Sequence, residues 1–192
     1  MNRRPLTAWA HELLESVLCS GDTAVDATAG NGLDTLFLSR AVGPDGMVYA
    51  LDVQEQALAN TRQRLQAAGA LTRTRLLQAD HAELLTVLGY ELQGRVRAVT
   101  FNLGYLPGAD KGVVTTPAST VPALRQASTL LMPGGRMTIL AYTGHSGGHL
   151  EARAVEEWAN ALGRPFLVRE VRPPGTADTA PRLFVVDRES GA

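Results

Sequence analysis

Short runs of apolar residues alternate along the chain with longer segments in which apolar residues recur every three or four positions. The first pattern predicts buried strands and the second predicts amphipathic helices. Seven strands are predicted, at 23–25, 47–52, 73–78, 96–101, 136–142, 165–172 and 182–187. Because helical segments separate most of them, we predict an α/β fold with a doubly wound, mainly parallel seven-stranded sheet. Helices should cover both faces, and the last strand should be antiparallel.

The first predicted helix spans about 6–18, where leucine, alanine and tryptophan side chains share one face. His11 lies on this helix, and we interpret it as a surface or edge histidine. A later helix is predicted at 121–131, and a Met-Pro-Gly-Gly turn at 132–135 should separate it from the strand at 136–142.

The segment Asp26–Thr35, with the sequence DATAGNGLDT, joins the first strand to the next helix. Gly30 and Gly32 allow positive φ angles and let backbone N–H groups approach a ligand at the helix N-terminus. A dinucleotide-binding fingerprint would have a third glycine where this chain has Thr35. An acidic residue four positions before the first glycine, here Asp26, is instead usual in S-adenosylmethionine (SAM) methyltransferases. The turn therefore favours SAM over a nicotinamide, and a turn without a ligand is the remaining alternative.

Polar residues end two further strands at the same edge of the predicted sheet. Asp52 lies about twenty residues after the glycine turn, where doubly wound sheets use a carboxylate to bind ribose hydroxyls. Gln54 lies beside it. Asp80 follows the third strand and either faces the adenine edge or caps the next helix. His81 is a further candidate for stacking on the adenine or hydrogen bonding to it.

The fourth strand leads directly into Asn102 and Tyr105. This strand should lie beside the first strand, across the switch point where ligands bind in doubly wound sheets. The spacing Asn-x-x-Tyr followed by proline is similar to the Asn-Pro-Pro-Tyr loop of amino-directed methyltransferases. We therefore predict that Asn102 and Tyr105 face the methyl donor. The alternative is that Asn102 only satisfies backbone groups of the loop.

A glycine-rich loop follows the fifth strand and contains His145 and His149, with Tyr142 before it and Glu151 after it. The spacing of the two histidines raises the possibility of a metal site. Flanking glycines disfavour a helix across both histidines, and no further histidine or cysteine is nearby in the sequence. We therefore predict no metal, and we assign Tyr142 and His145 to a substrate-facing catalytic loop.

Composition limits the classes of protein that fit. At 192 residues and 45% apolar content, the chain should form one globular domain spanning 1–192. A single cysteine and the lack of a long apolar segment predict a cytoplasmic protein without a membrane partner. The net charge of −1 gives no general argument for nucleic acid, although a local arginine patch is compatible with it.

Three segments together resemble one family: residues 26–35, 101–111 and 142–151. They are similar to the class I, Rossmann-like methyltransferases of the rRNA methylase family, which includes the tRNA 5-(aminomethyl)-2-thiouridine methyltransferase. The resemblance implies a SAM-dependent N-methyltransferase that acts on the aminomethyl group of 5-aminomethyl-2-thiouridine at the tRNA wobble position. The positions that it implies for SAM are Asn31, Asp34, Asp52, Gln54, Asp80 and His81.

The implied partner is the tRNA anticodon arm, with Lys111, Arg169 and Arg172 as candidate phosphate contacts. The alternative for Arg169 and Arg172 is that they are solvated arginines at the strand edge. Whether the protein is a monomer or a homodimer stays open. Three other functions also stay open: methylation of rRNA or a small amine, nicotinamide-dependent redox chemistry, and a non-catalytic module that binds SAM and RNA.

Overall fold

The computed structural model describes residues 4–106, 108, 113–173 and 180–191. Within these ranges, each helix is too short or too polar to cross a lipid bilayer. The helices are α1 (Leu6–Glu15), α2 (Leu33–Ala41), α3 (Glu55–Ala67), α4 (Leu84–Leu88), α5 (Pro117–Leu130) and α6 (Gly148–Ala161). The strands are β1 (Thr23–Asp26), β2 (Met47–Asp52), β3 (Thr74–Gln78), β4 (Val96–Leu103), β5 (Leu131–Ala141), β6 (Phe166–Val171) and β7 (Arg182–Arg188).

All seven strands belong to one sheet, in the order β3-β2-β1-β4-β5-β7-β6. Strands β1 to β5 pair in parallel, whereas β7 is antiparallel to both β5 and β6. The predicted fold class is therefore confirmed, including the antiparallel last strand. The chain order reverses between β1 and β4, and the crevice at their carboxyl ends is where ligands bind in such sheets.

Alternate residues of each central strand pack on opposite faces of the sheet, as the period of two requires. Val25 and Val99 join the larger core cluster, to which α4, α5 and α6 contribute. Ala24 and Ala98 face the other side, where they meet Leu14 of α1 and further apolar residues of α2. Because strands β1 and β4 are buried on both faces, their carboxyl ends are held rigidly.

The structure differs from the predicted boundary between α5 and β5. Helix α5 begins at Pro117, whose fixed φ suits the first helical turn, and strand β5 starts directly after it at Leu131. The pairing with β4 passes from Val96↔Leu131 to Ala98↔Arg136, so residues 132–135 form a bulge opposite Arg97. The predicted turn at 132–135 was wrong because tertiary strand pairing incorporates those residues into β5.

Candidate functional site

Four of the predicted positions meet at the carboxyl edge of the sheet. The glycine turn follows β1, Asp52 ends β2, Asn102 is the second-last residue of β4, and Tyr142 comes directly after β5. The backbone N–H of Asn102 donates to Thr28 Oγ1 at 2.7 Å, so the end of β4 is tied to the turn. The switch-point crevice is thus lined by side chains from four separate segments.

The glycine turn has the geometry that its sequence predicts. Gly30 and Gly32 have φ angles of +51° and +76°, and Gly32 directly precedes α2. A Cβ at position 32 would lie 2.8 Å from Thr61 Cα, so α3 packs against the turn where only glycine fits. Thr61 Oγ1 also donates to the Gly30 carbonyl at 3.0 Å. Glycine is therefore needed at position 32 for helix packing as well as for any ligand.

Asp26 and Thr35 support the turn from beneath. Both are fully buried, and Thr35 Oγ1 donates to Asp26 Oδ2 at 2.6 Å, while the Thr28 N–H donates to Asp26 Oδ1 at 3.2 Å. Burial, together with the nearby charge of Asp34, raises the pKa of Asp26 from 3.8 to about 7. Neither side chain has exposed surface in this conformation, and their predicted place among the cofactor-binding residues stays a prediction.

Asp52 joins the turn to the start of α3. Its carboxylate accepts the Gly30 N–H at 2.9 Å through Oδ2 and the Gln54 N–H at 2.9 Å through Oδ1. Asp52 is partly exposed, and the neighbouring Val53 exposes 45% of its surface. A partly exposed carboxylate with an apolar surface beside it is the combination expected for a ribose and a flat base.

Asn31 is bonded to α3 through both its side chain and its backbone. Asn60 Nδ2 donates to Asn31 Oδ1 at 2.9 Å, and Arg64 Nε donates to the Asn31 carbonyl at 2.7 Å. Both partners belong to α3. Asn31 therefore lies at the α3 side of the turn, and its contact with a cofactor stays a prediction.

Asp80 and His81 lie at the end of β3. Asp80 Oδ1 accepts the Ala82 N–H at 2.8 Å, so the capping role is present, and the other oxygen leaves room for a second contact.

His81 is buried against Phe101, edge to face with ring centroids 6.0 Å apart. Burial lowers the pKa of His81, which keeps its ring neutral at pH 7. Its Nε2 is buried without a hydrogen-bond partner among the described residues.

A chain of three polar side chains connects α1, α2 and β4. Asn102 Nδ2 donates to Asp34 Oδ2, and His11 Nε2 contacts Asp34 Oδ1. The His11 ring also stacks on Phe37, with centroids 4.0 Å apart and planes within 4°. Both oxygens of Asp34 are thus occupied by protein groups. The sequence interpretation of His11 as a surface or edge residue missed this contact with the site.

Tyr105, Tyr142 and His145 gather around Gly104, just beyond Asn102. The rings of Tyr105 and His145 meet edge to face, with centroids 5.9 Å apart. A Cβ at Gly104 would lie 3.5 Å from Tyr142 Cβ and 3.6 Å from His145 Nε2, so both loops come close to this glycine. Burial, and then the charge of Asp34, raise the pKa of the Tyr142 phenol. The three predicted residues therefore form one wall of the crevice, and Tyr142 stays protonated at pH 7.

Glu151 acts as a structural carboxylate. It is buried, and it accepts hydrogen bonds from Thr115 Oγ1 at 2.8 Å and Thr120 Oγ1 at 2.6 Å. These bonds fix the segment before α5 and the first turn of α5 against the first turn of α6. Across the part of the chain that the structure describes, no three His, Cys, Asp or Glu side chains converge as a metal site would require.

The candidate RNA-binding arginines have acidic partners within the chain. Arg169 Nη1 donates to Asp187 Oδ2 at 2.5 Å, and Arg172 Nε lies 3.3 Å from Glu170 Oε1. Both side chains remain about half exposed, so a phosphate group can reach them. It would have to compete with the carboxylates that already pair with them. Lys111 lies outside the described residues. The assignment of these residues to RNA stays a prediction.

Comparison with known proteins places these features in one family. A family model described as "Putative rRNA methylase" matches residues 48–187. A curated Arabidopsis thaliana protein, the chloroplastic tRNA (mnm(5)s(2)U34)-methyltransferase, is 39% identical over 168 residues, which cover 83% of this chain and 61% of the relative. This chain thus matches less than two thirds of that relative.

Solved structures agree along nearly the whole chain. A Clostridium thermocellum protein described as a "putative rRNA-methylase" has a TM-score of 0.90 and 33% identity, with 98% of this chain and 100% of that chain covered. SMU.1697c from Streptococcus mutans, described as "a putative methyltransferase" and solved in complex with SAH, has a TM-score of 0.84 and 36% identity, covering 98% of this chain and 99% of that chain. The likeness therefore includes the crevice as well as the sheet.

Proposed function

Because this chain belongs to the rRNA methylase family, we propose that it methylates the aminomethyl nitrogen of 5-aminomethyl-2-thiouridine at the wobble position of tRNA. The observation that carries this proposal is the Asn102 side chain, oriented by Asp34 beside the glycine turn. A hydrogen-bond acceptor fixed at this edge of the sheet can bind the N–H of an amine, so an amine fits as the group that is methylated. The Arabidopsis relative, named for a modified uridine of tRNA, supports the choice of substrate.

The cofactor is SAM. The Streptococcus mutans relative was solved with SAH, the form that remains after SAM has given up its methyl group, and the family is one of methylases. When bound, SAM supplies an electrophilic methyl group. The remaining chemistry must come from residues that bind the cofactor, hold the amine and take up a proton.

The residues at the crevice fit this cofactor. We propose that Asp52 and Gln54 bind the ribose, that Asp80 and His81 contact the adenine, and that the turn of Gly30 and Gly32 supports the rest. The buried His81 Nε2, unpartnered within the described residues, supports a ligand there because such a group costs free energy unless it is hydrogen-bonded.

Replacing Asp52 by alanine should weaken SAM binding by about 1.5 to 3 kcal/mol, the range for loss of charge-assisted hydrogen bonds. The carboxylate that would receive the ribose hydroxyls also holds the Gly30 and Gln54 N–H groups, so the turn loses an anchor as well. Titration calorimetry with SAM measures the change. Asp45→Ala, in the exposed turn before β2, is the matched control and should bind SAM as the unmodified protein does. Equal affinity in both variants would contradict the ribose assignment.

The methyl acceptor must be a free amine. With a pKa near the lysine value of about 10.4, an alkylammonium needs roughly 4 to 5 kcal/mol to lose its proton at pH 7. Desolvation in the crevice lowers this cost because burial disfavours the charged form. With Nδ2 donating to Asp34, the amide of Asn102 presents its Oδ1 as the acceptor. We propose that Oδ1 accepts an N–H of the amine and orients its lone pair.

The substrate ammonium must lose one proton before its nitrogen attacks the methyl group, and the secondary ammonium that forms keeps its charge at pH 7. His145 Nδ1 lies 2.9 Å from the Ser146 carbonyl, and an N–H there leaves the lone pair of the neutral ring on Nε2. That Nε2 is buried and has no hydrogen-bond partner in the described part of the chain. We propose His145 Nε2 as the proton acceptor.

We also propose that Tyr105, which is 39% exposed, is the surface on which the extruded base stacks.

The substrate proposal is tested by methyl transfer to two RNAs of the same sequence. One is tRNA from a strain that lacks this activity and therefore carries the aminomethyl group, and the other is an unmodified transcript. With labelled SAM, we expect label on the first RNA alone, because plain uridine offers no amine. Mass spectrometry of the nucleosides should place the label on the side-chain nitrogen.

The other outcomes separate the competing functions. Equal labelling of both RNAs, or label on a ring carbon, would contradict the aminomethyl assignment and leave a methyltransferase of another RNA position. Label on rRNA or on a free alkylamine alone would change the substrate class. RNA binding without any transfer, from a protein that binds SAM, would indicate a non-catalytic module.

A further inference from the structure

The line of side chains from α1 to β4 includes a histidine to which the proposed function assigns no role. His11 comes from α1, Asp34 from the first turn of α2, and Asn102 from the end of β4. We propose that His11 is a positioning residue, which acts through Asp34 to hold the Asn102 amide in its productive orientation. This inference rests on the proposed function, because it concerns the acceptor assigned to the substrate amine.

An asparagine side chain needs such support because its two ends have nearly the same shape. Turning the amide by 180° exchanges the oxygen and the nitrogen at little steric cost, and it would present donors to the substrate amine in place of an acceptor. An ionised carboxylate only accepts hydrogen bonds, so Asp34 selects the orientation with Nδ2 toward itself. The negative charge of Asp34 also polarises the amide, which makes Oδ1 a stronger acceptor.

Asp34 in turn needs a second partner. Its side chain is only 15% exposed, and its negative charge lies close to the buried carboxyl of Asp26, whose pKa it raises. His11 Nε2 occupies the oxygen that Asn102 leaves free. A carboxylate bonded through both oxygens has one position, whereas one held by a single bond can rotate about its terminal torsion.

The position of His11 is itself fixed by packing. Its ring stacks on Phe37, one helical turn after Asp34, so α2 supplies both the surface that orients the imidazole and the carboxylate that binds it. Ala10 and Leu14, the buried residues of α1, hold this helix in the core. The bond to Asp34 and the stacking are separable by substitution, and that makes the proposal testable.

Two variants divide the functions of His11. His11→Phe keeps an aromatic ring for Phe37 but removes the donor, whereas His11→Gln places an amide N–H near the position of Nε2. With amine-bearing tRNA and saturating SAM, we expect His11→Phe to lower kcat about tenfold, with KM and the Kd for SAM changed by less than about twofold. His11→Gln should recover most of the lost kcat.

The second measurement does not depend on activity. The side-chain amide of Asn102 can be followed by NMR in protein labelled with ¹⁵N-asparagine, and it is identified by its absence in Asn102→Ala. We expect the Asn102 amide resonances to move toward those of solvent-exposed asparagine in His11→Phe and to stay near their original positions in His11→Gln.

Unchanged kcat together with unmoved Asn102 resonances in His11→Phe would overturn the proposal. A loss of activity that follows the folded fraction, and that His11→Gln does not restore, would also overturn it and leave His11 with a role in stability alone. If the unmodified protein transfers no methyl group to the amine-bearing tRNA, the proposed substrate fails, and the NMR comparison still decides whether His11 orients Asn102.

Discussion

Asn102→Ala is expected to lower kcat by about 100-fold, the scale of a misplaced reacting group, while SAM affinity changes little. A hydrogen-bond acceptor that orients the amine stabilises mainly the transition state. Its removal should therefore slow the chemical step more than it weakens SAM binding. The substitution is selective, because the backbone N–H that bonds Thr28 Oγ1 survives in alanine. Single-turnover methylation at saturating SAM, with SAM binding measured by calorimetry, checks both parts.

The control must account for stability, because the change leaves Asp34 without one of its partners. Asn160→Ala, near the end of α6 and exposed, removes the same side chain far from the crevice and should retain full activity. Thermal unfolding of both variants gives the folded fraction. If Asn102→Ala loses stability but keeps kcat per folded molecule, Asn102 has only a structural role. That result would support the alternative that its side chain only satisfies the hydrogen bonds of neighbouring groups.

The parts of the site that depend on strand order could be predicted from the sequence. Gly30 and Asp52 are 22 positions apart, yet they meet because β1 and β2 are neighbours and both end at the same edge. Asn102 reaches the same crevice because β4 lies on the other side of β1. Parallel pairing and the switch-point rule are enough for this, and both follow from the alternation of strands and helices.

The parts that depend on how helices dock could not be predicted in the same way. The contact between His11 and Asp34 exists because α1 packs beside α2, and an amphipathic pattern gives the buried face of a helix but not its neighbour. The burial of Asp26 and Thr35 is a similar case. A DxxxGxG pattern gives their spacing, while only the folded turn shows that both side chains point beneath it.

The segment 132–135 illustrates a local signal that tertiary pairing overrode. Met-Pro-Gly-Gly is a strong turn sequence, and Gly134 does have a positive φ of +78°. In the structure this irregular backbone is accommodated as a bulge, because Leu131 already pairs with Val96 and Arg136 with Ala98. A Cβ at Gly135 would lie 2.9 Å from the Met132 carbonyl oxygen, so the bulge needs glycine there.

Asp26→Asn is expected to stabilise the protein more at pH 8 than at pH 4. The carboxyl of Asp26 has a pKa of about 7 in the folded protein against 3.8 in the unfolded chain, because burial and Asp34 disfavour its charge. Between these values the folded protein holds a proton that the unfolded chain has lost, so stability falls as pH rises from about 4 to about 7. The accumulated cost is about 4 kcal/mol for this difference in pKa.

Asparagine should remove this pH dependence with little change in packing. Its Oδ1 can still accept the Thr28 N–H. Its Nδ2 can donate to Thr35 Oγ1, provided that the Thr35 hydroxyl rotates so that its hydrogen no longer points at residue 26. The free energy of unfolding should be measured in urea from pH 4 to pH 8. The difference between the variant and the unmodified protein should grow up to about pH 7 and stay constant above it. Asp45→Asn, in the exposed turn before β2, serves as the control and should run parallel to the unmodified protein. A difference between Asp26→Asn and the unmodified protein that does not grow with pH would mean that Asp26 is ionised in the fold, with the bonds from Thr28 and Thr35 outweighing its burial.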